Sequence, residues 1–478
     1  MLERIIKPNV VLEKKRVVMR NCLGLVGLLV VLSSCSWMME AKTPEFDRPS
    51  KFNSQLESYQ EIESLPYLAW WQQFNDPILN QFIESSLKSN LDLSIALSNL
   101  ENAKGQLSKV QLSWIPFVDI YSGFTTNPAF GNAGTFYGLW PQYTLNIAQL
   151  IQQQKQAKYN LQMTEAMVEG MRLTVIGQTS SAYFTLIAQQ EQLRLLNILE
   201  SDIGKLVKVQ QDELAVGLKE HIHISDALID QKLVQSQINI AEHNILLSQN
   251  ALQYLINQNP AQIKTKDNFA QLNFNKFKPG SLPATVLQNR PDLKIAEYSV
   301  KAAHAGVGVA YGALFPALQI DSFFGAGSTN GTLAAPDNYY PIQDDYMNWG
   351  INPSTFGQIE AQKGAYQAQV YRYIQTVRKI LRDVDDSFSA SNYYSKSYAN
   401  TFAALQRLEY KYKLQQDLYD TGLTGLPQIL TDKIRLDNLL LSANQSKLQQ
   451  AIAMVNLYQE LAGGYKYDES ATQTIKVE

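Results

Sequence analysis

Asn90-Leu91-Asp92-Leu93-Ser94-Ile95-Ala96 returns two hundred residues later as Arg290-Pro291-Asp292-Leu293-Lys294-Ile295-Ala296. Asp, Leu, Ile and Ala recur at the same spacing. The register then continues without a gap: Ala103 with Ala303, Pro116 with Pro316, Ile120 with Ile320, Ser122 with Ser322 and Phe124 with Phe324. An ordered set of matches that includes a proline marks an internal repeat, and self-similarity at a fixed offset governs the architecture more than any single segment does. The chain reads as two copies of one unit.

Each copy reads alike. A helix comes first, over 76–112 and 283–314, with Leu87, Leu91, Ile95 and Leu100 on one side at helical spacing. Pro116 and Pro316 stop these helices at a junction with a strand. The strands cover 117–124 and 317–324, followed by Gly-, Asn- and Pro-rich loops at 125–134 and 325–343. Returning strands are expected near 137–147 and 346–355. Proline-free helices of great length follow, over 149–214 and 357–419. At ~1.5 Å per residue, about 60 residues reach roughly 90 Å, longer than a compact domain of this size requires. Gly217 and Gly422 turn the chain, and second helices return over 222–258 and 427–461. The fold class is mainly α with β-strands: a strand hairpin joined to a long helical hairpin, twice.

No later segment is a transmembrane helix. If the chain crosses a bilayer, strands must do it, and lipid tolerates only closed barrels. Strands of about 9–11 residues suit a span, but four cannot close a barrel, since single-chain barrels begin at about eight. A spanning form must pool strands from identical chains around an axis.

The first 35 residues are an address. Lys14, Lys15, Arg16 and Arg20 precede the apolar run Leu23 to Leu32, which is short for a span. Leu32-Ser33-Ser34-Cys35 then forms a lipobox, so Cys35 is the expected lipidation site and mature first residue. MRNCLGLVGLLVVLSSC is a complete signal from Met19, and Ser36 after the cysteine favours outer-membrane sorting. Several acyl chains at about 0.8 kcal/mol per buried CH₂ anchor durably. Cys22 and Cys35 are the only cysteines, which excludes a disulfide framework in the remainder. The segments are 1–34 signal peptide, 35–75 lipidated N-terminal segment, 76–270 first repeat, 271–465 second repeat and 466–478 tail. A net charge of −3 over 478 residues gives no basis for nucleic acid as a partner. Charged residues are only 18%, and the long helices are rich in Gln, Asn and Ser, which suits a wall facing water without holding cargo.

At this point the residues resemble a family. Trp70-Trp71, Phe74, Asp76-Pro77 and Leu79 match the WWxxFxDPxL opening of TolC-like outer membrane factors. Asn90, Asp92, Leu93 and Ala96 match NxDLxxA, and Arg290-Pro291-Asp292-Leu293 is RPDL. Leu457-Tyr458, Leu461 and Gly463-Gly464 echo the closing LYxALGGGW, with Tyr465 in the place of Trp. With the lipobox, the chain is similar to the NodT/OprM-like lipoprotein branch serving resistance-nodulation-division pumps. The resemblance implies a homotrimer with a twelve-stranded β-barrel in outer membrane lipid and a periplasmic α-barrel. It also implies passive export of small molecules, a periplasmic adaptor (membrane fusion protein) at the helix tips and an inner-membrane RND pump, with no cofactor beyond the lipid on Cys35. Within that resemblance the sites near adaptor and gate are Gly217, His221, His223, Gly422, Thr424 and Pro427. Leu145-Asn146-Ile147-Ala148-Gln149 departs from the family's LDLFG, and Thr424 stands where an acidic residue is common.

No enzyme signature occurs: no P-loop, GxSxG, HExxH or dinucleotide fingerprint. His221-Ile222-His223 reads as a polar helix start rather than a metal site. His243 and His304 carry no assigned role, and Asp383, Asp385 and Asp386 read as a solvated helix face. Trp70 and Trp71 are expected to anchor the N-terminal segment. Trp114, Trp140, Trp349, Tyr137 and Tyr346 fit an interfacial girdle or ordinary strand packing. The alternatives to an efflux duct are a type I protein-secretion duct and a periplasmic lipoprotein scaffold without membrane strands.

Overall fold

A computed structural model describes residues 52–54, 69–125, 134–218, 221–265, 269–274, 290–328, 338–350 and 352–461. The signal segment and Cys35 lie outside the described residues. Among the described residues seven α-helices and four strands follow in order: α1 (Pro77–Ser89), α2 (Leu91–Leu112), β1 (Phe117–Thr125), β2 (Gly134–Leu145), α3 (Ile147–Ala215), α4 (His221–Leu255), α5 (Pro291–Gly312), β3 (Ala317–Ser328), β4 (Asn338–Asn348), α6 (Ser354–Asp420) and α7 (Leu426–Glu460). The repeat is visible in the bounds. Helices α2 and α5 have 22 residues each and start 200 apart, and α4 and α7 have 35 each.

Two expectations need correction. The single helix over 76–112 is two helices broken at Asn90, whose ψ of 129° is extended. Its backbone N–H donates to Ser86 O and its Oδ1 accepts the Leu93 N–H, so one asparagine ends α1 and starts α2. The returning strand of the second copy is β4 at Asn338–Asn348, several residues before 346–355. Cross-strand pairing explains the shift: Gly325, Ala326 and Gly327 extend β3 and pair with Tyr340, Tyr339 and Asn338. Small residues give no alternation to read, and Asn352 and Pro353 instead lead into α6.

By internal contacts the chain divides into two compact units, and the division cuts across the repeats. The first draws on Glu101–Thr164 and Ile295–Ile374. It holds one antiparallel sheet in the order β1-β2-β3-β4, leaving an edge on β1 and on β4.

The second unit draws on Phe46–Leu100, Glu165–Lys294 and Gln375–Glu478. Its core is a seam of Leu195, Leu196, Leu199, Ile203 and Val207 of α3 with Ala227, Val234 and Ala241 of α4 and Leu441 of α7. Leu405 of α6 packs with Leu436 and Ala443 of α7. The 69-residue α3 and 67-residue α6 have no proline and a contour of about 100 Å each.

The family-like motifs meet in this unit. Trp70, 1% exposed, stacks on Tyr458 at 5.1 Å, so the opening and closing motifs hold each other. Trp71 is buried as well, as an anchoring role requires. Asp76 caps α1 through the Ile78 and Leu79 amides and accepts the Tyr183 hydroxyl at 2.6 Å. Phe52 packs on Phe388, while Asp385 accepts the Ser54 N–H at 2.7 Å and Asn392 donates to Ser54 O. Asp385 therefore fastens the N-terminal segment and is more than a solvated face.

Candidate functional site

The expected channel role would make the surfaces of the chain its site, and the sheet is the first of them. Alternation sorts its residues by face. Val118 and Ile120 share a face with Leu139, Pro141, Leu318, Ile320 and Met347. Asp119 and Tyr121 share the other with Trp140, Gln142, Thr144, Gln319 and Asp321, joined at one end by Phe117 and Tyr346. Ile120 is 83% exposed. Each large apolar side chain left in water forgoes about 1.5–3 kcal/mol of burial. A sheet with one mainly apolar face, interrupted by register positions Ser322, Gln343 and Asp345, and one face that carries Asp119, Asp321 and Asp344 among its aromatics, with 9 to 12 residues per strand, suits a boundary between lipid and water. Trp140 lies 5.3 Å from Tyr121 and donates its indole N–H to the Asp321 carboxylate.

The joints between helix and strand come next. Pro116 and Pro316 each stand directly before a strand, four residues past the end of α2 and α5. Asn146 ties the joint together. Its Oδ1 accepts the Gln149 N–H at 3.0 Å, and its side-chain amide donates to Gly312 O at 2.9 Å and Phe315 O at 3.2 Å. Asn352 caps α6 through the Ser354 N–H, the Trp349 indole donates to Leu314 O and the Tyr143 hydroxyl to Ser113 O. Sequence reasoning noted Asn146 only as a departure from LDLFG. The signal was an amide at a helix start, where a carboxylate would cap but not donate.

The tips are alike in both copies. Gly217 has φ +79° and Gly422 φ +75°, left-handed conformations that favour glycine. Gly217 N–H reaches Leu214 O and Leu218 N–H reaches Glu213 O; Gly422 N–H reaches Tyr419 O and Leu423 N–H reaches Leu418 O. These pairs satisfy the last carbonyls of α3 and α6. Leu218 and Leu423 follow the glycines, and each is 76% exposed, a matched apolar pair that sequence reasoning passed over. His221 opens α4; the side chains of His221 and His223 lie outside the described residues. Thr424 is half-buried and Pro427 is the second residue of α7, where a missing N–H is harmless.

A second pair of equivalent joints explains the NxDL and RPDL motifs. Asn90 donates to Leu255 O, the last residue of α4, at 3.1 Å. Arg290, 200 residues on, donates to Glu460 O, the last residue of α7, at 2.6 Å, and also binds the Glu460 carboxylate and both oxygens of Asp292. Burial works against the guanidinium, but the hydrogen bonds and charges of Asp292 and Glu460 prevail and raise its pKa. Lys447 of α7 donates to Ala270 O at 2.6 Å beside the rings of Phe269 and Tyr398. Burial pushes its ammonium down to about 8, against a small opposing effect of Glu191.

Among the described residues no three His, Cys, Asp or Glu side chains gather as a metal set, and no helix is long and apolar enough to cross a membrane.

Comparison with known proteins agrees with this geometry. The family described as Outer membrane efflux protein matches residues 82–258 and again 282–463, one match per repeat. The toluene efflux pump outer membrane protein TtgC of Pseudomonas putida is 24% identical, covering 96% of this chain and 99% of that protein. The probable outer membrane lipoprotein SilC of Salmonella typhimurium is 22% identical over 92% of this chain and 98% of its own. Among solved structures, the Campylobacter jejuni CmeC outer membrane channel superposes with a TM-score of 0.76 at 21% identity, covering 90% and 96%.

Proposed function

The chain belongs to the outer membrane efflux protein family, and from that premise we propose that it is the exit duct of a tripartite pump. It is an outer-membrane efflux protein with the fold of the TolC-like channels. In this reading three copies pool their sheets into a twelve-stranded barrel, since β1 and β4 leave the four-stranded sheet open at both edges. The observation that carries the reading is the two-faced sheet, mainly apolar on one side and richer in polar and acidic residues on the other, continuous in sequence with helical hairpins. The helices extend into the periplasm, and solutes pass down their gradient while an inner-membrane RND pump supplies the energy. The periplasmic adaptor docks at the hairpin tips, where Leu218 and Leu423 offer exposed apolar area beside Gly217 and Gly422. Cys35 carries the lipid anchor, which intact-mass analysis of the purified chain checks.

Mass in detergent, measured together with single-channel conductance in a planar bilayer, tests the proposal. A trimer that opens a small gated pore supports it. A monomer without conductance would return the chain to the lipoprotein scaffold reading. Export of a polypeptide substrate rather than small molecules would favour type I secretion.

A further inference from the structure

We propose that the membrane segment of this duct selects by charge, passing cations and uncharged solutes in preference to anions. The inference rests on the duct reading above and adds a substrate class to it. Residues 110–154 and 305–359, which hold all four strands, contain no Lys, Arg or His. They total 100 residues, and at the chain's frequency of 41 Lys and Arg in 478 they would hold about nine. Their charged residues are Asp119, Asp321, Asp337, Asp344 and Asp345.

The sheet register places this charge. Asp119 and Asp321 stand on the polar face with Gln142 and Gln319, and Asp344 is the cross-strand partner of Asp321, whereas Asp345 pairs with Ile320 at a register position of the other face. The Trp140 indole N–H holds the Asp321 carboxylate on that face. No base on any strand offsets these carboxylates. In a water-filled passage walled by protein and lipid, uncompensated charge of one sign raises the local concentration of counter-ions and depletes co-ions. Three chains multiply the charge around one axis. Salt screens such fields over about 8 Å at physiological ionic strength, and over about 3 Å at 1 M.

Zero-current potential under a low-salt KCl gradient, with the full-length protein in planar bilayers, provides the test. The K⁺ to Cl⁻ permeability ratio is expected at about three or more, collapsing toward one in 1 M salt. In Asp119→Asn/Asp321→Asn the ratio falls toward one, and in Asp119→Lys it moves further. Both amides keep side-chain size, and the one introduced at position 321 keeps an oxygen to accept from Trp140, so the strands remain paired. A conducting pore with a ratio of one or less would overturn the inference while leaving the duct reading intact. A ratio unmoved in the double variant would do the same. A protein that opens no pore removes the duct reading, and this inference with it.

Discussion

The seam between α3 of the first copy and α7 of the second buries more negative charge than its lysines match well. Asp437 is 1% exposed; one carboxylate oxygen pairs with Lys433 and the other has no hydrogen-bond partner. Asp202 of α3, 8% exposed, shares Lys433 at 3.7 Å and pairs with Lys205 at 2.5 Å. Burial is the main reason the Asp437 carboxyl is pushed above its ordinary range; Asp202 adds to the effect and Lys433 opposes it. A folded pKa above the unfolded one means the folded state binds the proton more tightly. The stabilisation is complete below the unfolded value of 3.8 and is lost as pH rises through the folded value. Once pH has risen through that folded value, the seam bears a buried ionised oxygen with no donor, which costs about 1–3 kcal/mol. Asp437→Asn removes the ionisation, and its amide donates toward Asp202. We expect the variant to be more stable than the parent by about 1–3 kcal/mol at pH 8, a shift of roughly 2–5 °C for a unit of this size. The gain shrinks toward pH 4. Thermal circular dichroism in detergent at both pH values reads the difference between variant and parent. Using that difference cancels other groups, including Asp432, whose carboxyl is pushed by burial upward but held low by Lys411 and Gln428. A gain that is equal at both pH values, or a loss at pH 8, would refute the reasoning.

Two further outcomes follow from the joints and tips. Asn146→Asp keeps the cap on α3 but loses the amide donor and places a carboxylate against the Gly312 and Phe315 carbonyls; the variant is expected to lose about 1–3 kcal/mol, visible as a lower melting temperature with unchanged helix content. Gly217→Val and Gly422→Val force a β-branched residue into left-handed backbone, costing about 1–2 kcal/mol each and loosening the tips; export in a pump-reconstituted strain should fall, and normal export by the double variant would count against the turn assignment.

Much of the fold was legible because it is repeated. The 200-residue offset located both α2/α5 and the strand starts at Phe117 and Ala317, and the long proline-free runs announced α3 and α6 within a few residues. The glycine tips were found because glycine relieves a positive φ at no steric cost. What was hidden depends on tertiary partners. Asn90 reads as an ordinary helical residue until the Leu255 carbonyl it binds is in place. The start of β4 is set by what lies opposite on β3, and Gly325-Ala326-Gly327 carries no periodic signal. The exposed Leu218 and Leu423 drew no notice, because a leucine after a glycine says nothing of exposure until both helices around it are built. The Asp202, Lys433 and Asp437 cluster unites residues more than 200 positions apart, and no local window contains it.

The two copies also differ in how they make the same joint. Asn90 closes the first copy with one neutral hydrogen bond to a helix end, and Arg290 closes the second with a guanidinium bound to the helix end and to two carboxylates. Arg290 is only 11% exposed, and a buried cation without partners would be strongly destabilising, so Asp292 and Glu460 must accompany it. The first copy needs no such set because asparagine carries no charge. What the repeat keeps is therefore the position of the joint, where a side chain from the start of one helix satisfies the last carbonyl of a long hairpin. The side-chain chemistry is free to differ as long as that carbonyl is satisfied. The same logic holds at the tips, where backbone hydrogen bonds do the closing and both copies keep glycine followed by leucine. Equivalent joints and equivalent tips are what two copies need in order to present equal hairpins around a ring. Between the hairpins α3 meets α7 through both the ionic cluster of Asp202, Lys433 and Asp437 and the apolar contact of Leu441, a seam that no position of the repeat prescribes.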